Sequence, residues 1–417
     1  MLVHSAGRGP LTLQPANRLC IRGEPTTLGS LRPPELPGEG PVAVVSDDVR
    51  VQLATAVALF NTGRRGLVLP SDRLTPRTEP ILRSAGYSLV FTATGEVVWG
   101  SDLETKCGVA LLTSGTTGPP KLYVHGWDSL STHPAGLPPR HWLQTYSPGT
   151  YAWYQLVTLW MFAPSQALTL GPSDPIDRLE AAAQHGVNAI SCTPSFWRYV
   201  FLGAPKGLFE RLDLVQLTLG GERVDQEILN QLAKTFPQAR ISHIYASTEV
   251  GASLVVHDGR EGFPATWVGQ PRPGRPELRI EDGILYVRSP FAAEGTDRWH
   301  RTGDRVERKG DRMVIVGRED EGMLNVGGRK ASRTHLEQTI GQHPDVVWCR
   351  VYTRRSPISG SVVAADVVPR HAVEDQEAFG ESLALFCRGR DLADWSIPRF
   401  WNLKEQIPMG TNFKASR

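Results

Sequence analysis

Over its first two thirds the chain alternates short apolar runs with stretches of helical period, separated by polar or glycine-rich joints. From Pro41 to Pro70 this pattern predicts a strand (Val42 to Val45), a helix (Val49 to Asn61) and a second strand (Gly66 to Leu69). The alternation returns as a strand from Val109 to Leu112, a helix from Asp177 to His185 and strands at Ala189 to Cys192 and Leu214 to Leu219. A helix from Gln226 to Phe236 and a strand from Ile241 to Tyr245 complete it. Continuously apolar strands between helices predict an α/β fold with mainly parallel sheets flanked by helices.

After Gly262 the period shortens. Glu277 to Glu281, Ile284 to Arg288, Arg305 to Arg308 and Met313 to Val316 alternate between turns and predict hairpins of a small β subdomain. Beyond Arg318 the order is strand (Met323 to Val326), helix (Thr334 to Gly341), strands (Val346 to Tyr352, Ser361 to Val368) and helix (Asp375 to Cys387). That order predicts a small α+β domain. The expected organisation is a large domain over residues 1–317 and a small, mobile C-terminal domain over residues 318–417. Residues 23–40, rich in Pro and Gly, are expected to form an irregular loop.

Composition narrows the function classes. A chain of 417 residues has room for two to three structural units, and 40% hydrophobic with 21% charged residues is ordinary for a globular protein. A net charge of +2, without massed Lys or Arg, argues against nucleic acid as the main partner. The five cysteines are dispersed and form no CxxC, so neither a disulfide framework nor a zinc site is expected. The most apolar region, Trp153 to Leu170, is broken by Gln155, Pro164, Ser165 and Gln166, and the N-terminus lacks an apolar core behind a basic start. Neither secretion nor membrane spanning is expected, and a cytoplasmic location fits best.

The candidate chemistry begins at Thr113-Ser114-Gly115-Thr116-Thr117-Gly118-Pro119-Pro120-Lys121, directly after a predicted strand. Glycines let backbone N–H groups approach phosphate oxygens, hydroxyls add donors, and Lys121 adds a compact positive charge. Pro120 and Leu122 flank the lysine where a Walker A loop has Gly and Ser/Thr, so a kinase-type cradle is not expected. Further segments stand at strand ends or turns, where open α/β sheets bind ligands. Leu219-Gly220-Gly221-Glu222 is a ligand approach or a plain turn. Tyr245-Ala246-Ser247-Thr248-Glu249 offers an aromatic face, a hydroxyl and a carboxylate suited to Mg²⁺, or else a helix N-cap. Arg301-Thr302-Gly303-Asp304 offers a carboxylate for a ribose or a turn-forming Asp. Gly317-Arg318-Glu319-Asp320 is a site segment or a charged linker. Lys414 stands alone in a Pro/Gly-punctuated tail.

Taken in this order, the motifs resemble the adenylate-forming superfamily of acyl-CoA synthetases, nonribosomal-peptide adenylation domains and luciferases, from about residue 41 to the end. The resemblance implies that ATP and a carboxylic acid give an acyl-adenylate and pyrophosphate, after which the acyl group passes to a thiol. It implies that Thr113, Ser114, Gly115, Thr116, Thr117, Gly118 and Lys121 cover the β- and γ-phosphates, Thr248 the α-phosphate, and Glu249 the Mg²⁺. Tyr245 would stack on adenine and Asp304 with Arg318 would hold the ribose, with Gly221, Glu222, Ala246 and Ser247 around the nucleotide. Lys414 would bridge carboxylate and phosphate, Asp320 would be the hinge of the small domain, and Gly327, Gly328 and Arg329 would approach the thiol.

Several positions depart from the family pattern. Ala246 stands where the family often has glycine at the border of the acyl pocket, so its methyl would shorten that pocket. Met409, Gly410 and Phe413 replace usual types around Lys414. One residue more than usual separates Gly317-Arg318 from Gly327-Gly328, which leaves Glu321 beside Asp320 as a hinge choice. The part before the phosphate loop is short by about fifty residues. Gly220, Tyr151, Ala152, Trp153 and Ala246 are the expected acyl-pocket residues, although an aromatic stripe of this kind is more often core. Ala152 falls where amino-acid-activating members carry Asp, which disfavours an amino acid and favours a small carboxylic acid, aromatic acids included. The expected acceptor is the thiol of CoA. A carrier-protein phosphopantetheine, an amine, and a catalytically weak adenylate-binding module are the alternatives.

Overall fold

The computed structural model describes residues 10–98, 107–113, 120–271, 274–296, 298–319, 323–326, 329–356, 360–390 and 392–408. Two large sheets dominate. One has six strands in the spatial order Glu96–Val98, Ser88–Phe91, Val42–Val45, Arg65–Leu69, Gly108–Leu112, Leu122–His125, parallel except at its two edges. The other has eight, in the order Gly251–Val256, Arg240–Ser247, Gln216–Gly220, Ala189–Cys192, Arg140–Gln144, Gln166–Leu170, Arg18–Ile21, Glu24–Thr27, again antiparallel only at the edges. This is the α/β class the sequence predicts.

Helices Val49–Thr62 and Tyr151–Phe162 fill the space between the sheets. Their core cluster takes Val42, Val44, Val68, Val109 and Leu111 from one sheet and Leu19, Trp142, Leu168 and Ala189 from the other. A helix touched on both sides must be apolar almost all round, and ten of the twelve residues of Tyr151–Phe162 are buried. Its ends are closed by polar groups. The Thr150 hydroxyl accepts from the Trp153 N–H, and buried Asn17 donates to the Trp160 and Ala163 carbonyls at 2.6 and 2.7 Å. Helices Pro175–Gln184, Pro194–Gly203 and Gln226–Thr235 cover the outer face of the eight-stranded sheet.

The expectation of an irregular loop over residues 23–40 is corrected at its start. Arg18–Ile21 and Glu24–Thr27 form an antiparallel hairpin that extends the eight-stranded sheet. Arg22 and Gly23 both take positive φ and so close the hairpin in two residues. Pro25 is tolerated because its strand is the sheet edge, where no neighbour needs its missing N–H.

A five-stranded antiparallel sheet from Phe263–Pro264 to Arg312–Arg318 follows. The described residues after it build another hydrophobic cluster, from Leu324 to Leu403, in which helices Arg333–Gly341 and Gln376–Arg388 cover a three-stranded sheet. This portion rests on the rest of the molecule. Gln338 Nε2 donates to the Val316 carbonyl at 2.9 Å, Arg370 pairs with Glu227 at 3.3 Å, and any side chain at Gly317 would collide with Thr334. Among the described residues no helix is long and apolar enough to cross a membrane.

Gly251 ends the turn after Glu249 with φ +69°, and a Cβ there would overlap the Phe291 carbonyl oxygen. Gly251→Ala is expected to lower stability by about 2 kcal/mol or more, from left-handed strain plus the clash. The urea unfolding midpoint measures it, and an unchanged midpoint would contradict the packing described.

Candidate active site

The candidate residues gather where the two large sheets meet the five-stranded sheet. Strands Gly108–Leu112 and Leu122–His125 pair antiparallel, with Leu112 opposite Leu122. One step further, the Thr113 N–H donates to the Lys121 carbonyl at 2.9 Å, and the Lys121 N–H donates to Thr113 Oγ1 at 3.0 Å. The two ends of the predicted phosphate loop are thus clasped together. Ser114, Gly115, Thr116, Thr117 and Gly118 lie outside the described residues. Lys121 itself is exposed.

Strand Arg240–Ser247 carries Tyr245 to Glu249 onto its carboxyl end. Its pairing with Gly251–Val256 slips between Tyr245 and Ala246, so Tyr245 faces Leu254 and Ala246 faces Ala252. A bulge of this kind re-aims the residues that follow it. Fully buried His125 donates from Nε2 to the Thr248 carbonyl at 2.7 Å. The carbonyl can only accept, so the proton sits on Nε2, leaving Nδ1 3.0 Å from Ser129 Oγ. Burial, opposed by the Thr248 hydrogen bond and by Glu249, lowers the His125 pKa to about 4. The Glu249 carboxylate meets the Tyr123 hydroxyl, whose pKa is raised first by burial and then by Glu249.

The third group lies on the five-stranded sheet. Asp304 and Arg318 are register partners there, with Arg318 Nε 3.8 Å from Asp304 Oδ1. Arg318 Nη2 also donates to the Thr302 carbonyl at 3.2 Å. The Tyr245 hydroxyl donates to Asp304 Oδ2. Burial, then Asp304, holds that phenol protonated. His300 lies among these groups: burial lowers its pKa, Glu249 raises it, and Lys121 and Arg318 lower it. Lys121, Glu249 and Arg318 therefore share one electrostatic neighbourhood around His300.

On the remaining side, Tyr146 Oη is 3.3 Å from Ser191 Oγ, and a Cβ on Gly220 would sit 3.7 Å from the Tyr146 hydroxyl. Gly221 has φ +81°, a turn that favours glycine. Glu222 Oε2 accepts from the Ser195 N–H at 3.0 Å, so it closes the first turn of helix Pro194–Gly203. The Tyr151 hydroxyl accepts from the Ala252 N–H at 2.9 Å and from Gln155 Nε2 at 3.1 Å. Trp153 is 1% exposed and packs edge-on against Tyr154 within the inter-sheet core, while Ala152 is only partly buried. Ala246 and Ser247 are half-buried. Arg329 stacks 5.6 Å from the Trp395 ring. Asp320, Gly327, Gly328 and Lys414 lie outside the described residues.

Sequence reasoning missed Tyr123, His125, Tyr146 and His300. Tyr123 and His125 stand only two and four residues past Lys121, and His300 directly precedes Arg301-Thr302-Gly303-Asp304, so proximity to a motif was the available signal. Among the described residues no three His, Cys, Asp or Glu side chains are grouped to hold a metal. One carboxylate, Glu249, nevertheless fits Mg²⁺, which takes one or two protein carboxylates and completes its shell with phosphate oxygens and water.

The family model described as AMP-binding enzyme matches residues 104–295. A 2-succinylbenzoate–CoA ligase of Salmonella typhimurium is 28% identical over 254 residues, 56% of this chain and 52% of that protein. A dimodular nonribosomal peptide synthase of Bacillus subtilis is 22% identical over 360 residues, 74% of this chain and 14% of that protein. The match thus spans about half or less of the length of these curated relatives. The solved structure of an anthranilate CoA ligase with anthranoyl-AMP superposes with a TM-score of 0.71 at 16% identity, covering 97% of this chain and 93% of that one. These matches, in which the family model covers a little under half of the chain, agree with the resemblance of the motifs to the adenylate-forming superfamily.

Five histidines, His125, His141, His243, His257 and His300, have pKa values lowered in the fold, chiefly by burial. Each takes up a proton more readily when unfolded, so stability is full above the ordinary histidine range near pH ~6.5 and falls as the pH drops towards 4. Urea midpoints recorded from pH 7.5 to pH 4.5 are expected to decline steadily. A flat profile would contradict the buried neutral rings.

Proposed function

We propose that this protein activates a small carboxylic acid with ATP to an acyl-adenylate and transfers the acyl group to the thiol of CoA. The observation that supports it most is the convergence of Lys121, Glu249, Asp304 and Arg318 around His300 and Tyr245. An organic carboxylate attacking an α-phosphorus brings two anions together and expels a third, so the site must supply positive charge to nucleophile, phosphate and leaving pyrophosphate.

In this reading the clasped loop from Thr113 to Lys121 covers the β- and γ-phosphates, and the Thr248 hydroxyl contacts the α-phosphate while its carbonyl stays fixed by His125. Glu249 holds Mg²⁺, which neutralises phosphate charge when bound. Asp304 and Arg318 receive the ribose, Tyr245 lies against adenine, and Lys414 reaches carboxylate and phosphate from the small domain. Gly220, Tyr146 and Ser191 form the acid side together with Ala246, whose methyl shortens it. Magnesium, ATP and CoA are the cofactor and substrates required. The CoA acceptor draws support from the ligases named above. The similarity to a nonribosomal peptide synthase supports a second reading, in which a carrier protein's phosphopantetheine supplies the same thiol.

A panel of small acids, aromatic ones included, is expected to give acid-dependent ATP–pyrophosphate exchange. No exchange with any acid would favour an adenylate-binding module instead. With an active acid, free CoA should yield a thioester visible by mass spectrometry, and none would shift the reading to a carrier protein or an amine. Lys414→Ala is expected to lose about 100-fold or more of adenylation, the scale of removing one transition-state charge contact, while still thiolating supplied acyl-adenylate. Equal loss of both steps would refute the role given to Lys414. Asp304→Asn should raise the KM for ATP more than it lowers kcat.

A further inference from the structure

We propose that a second pocket, at the opposite end of the eight-stranded sheet from the candidate active site, binds a small phosphorylated anion. It is an open depression of ≈ 350 Å³ where strands Arg18–Ile21, Arg140–Gln144, Gln166–Leu170 and Ala189–Cys192 begin. The candidate active site lies past the other ends of these strands, about 15 Å away at ~3.3 Å per residue. The two regions are separate.

Parallel register builds the pocket. Arg18 pairs with Ala167, Arg140 with Gln166, and Ala189 with Trp142, so the first residues of four strands share one rim. That rim brings Arg18, Arg140, His141 and His185 together with Ser165 and Asn188, and no carboxylate is among the described residues that line it. His141 is anchored through Nε2 to Thr169 Oγ1 at 2.7 Å and through its backbone N–H to Asn188 Oδ1 at 2.9 Å. With Oδ1 so engaged, Asn188 offers the pocket its amide donors. Burial comes first in lowering the His141 pKa to about 4, followed by the charges of Arg18 and His185. Arg18 and His185 thus lie close enough to act on His141, whose ring stays neutral near pH 7.

Ser165 occupies the left-handed region at φ 58°, an uncommon conformation for a residue with a Cβ, and so holds strained backbone at the lip. Like charges held in a concave site without a counter-charge raise the local positive potential, which an anion relieves. Two guanidinium groups match the several tetrahedrally arranged oxygens of phosphate better than the two oxygens of a single carboxylate. The volume lies at the small end of the ~300–1,000 Å³ typical of ligand sites, which suits a phosphate ester or pyrophosphate.

The test follows histidine ring signals by NMR on the full-length protein while inorganic phosphate, pyrophosphate and, separately, malonate are added. Saturable shifts of His141 and His185 with the two phosphates, weaker with malonate, are expected. The R18Q/R140Q double variant should raise the half-saturation concentration about tenfold, the loss of roughly one charge-assisted hydrogen bond. Lys121→Gln, at the end of the candidate phosphate loop, should leave it unchanged, which separates this pocket from the candidate nucleotide site. Absence of saturable shifts in the unsubstituted protein overturns the proposal, as does unaltered half-saturation in R18Q/R140Q. Tighter binding of malonate than of phosphate overturns the assigned ligand class. The unsubstituted protein decides the question even if the double variant fails to fold.

Discussion

One buried imidazole proton, shared between His125 and the Thr248 carbonyl, joins the two large sheets at the edge where the candidate groups gather. His125 ends an edge strand of the six-stranded sheet, and Thr248 follows a strand of the eight-stranded one. A hydrogen bond between neutral partners in a dry interior is strong in place and demanding of geometry, because an unmet carbonyl there is destabilising. Lys121, four residues before His125, and Glu249, one after Thr248, take their relative positions from this contact. The helices Val49–Thr62 and Tyr151–Phe162 set the sheet spacing, and His125 fixes the registration at the rim.

Regularity determined how much of the fold was legible in the sequence. Val42–Val45, Ala189–Cys192, Glu277–Glu281 and Ile284–Arg288 were read with their true limits, because continuous or alternating apolar runs end at glycine, proline or charge. Glu24–Thr27 was hidden by its own polarity. An edge strand buries little, and Pro25 removes the usual signal while harming nothing at an edge. The aromatic stripe Tyr151, Trp153, Tyr154, Trp160 and Phe162 could be read as pocket wall or core from periodicity alone. Sheets on both sides of that helix bury it.

Within the candidate site, the sequence displayed groups that approach one another through chain turns, such as Tyr245 to Glu249 and Arg301 to Asp304. Contacts across sheets were beyond it. Nothing local says that Tyr245 would meet Asp304, 59 positions later, or that Glu222 would cap the helix at Ser195. His125 and His300 were invisible for the same reason: a lone histidine beside a motif gains meaning only when the field of its spatial neighbours is known.

The Tyr245–Asp304 contact has a consequence for how a sugar would be received. One carboxylate oxygen is already turned and shed of water by the phenol, while the other faces Arg318. An incoming pair of hydroxyls would find an acceptor whose rotation is frozen beforehand, so ordering that a flexible surface aspartate undergoes during encounter has here been completed during folding. Removing the phenol oxygen would therefore loosen recognition through the wandering of Asp304, without any direct touch between residue 245 and the sugar.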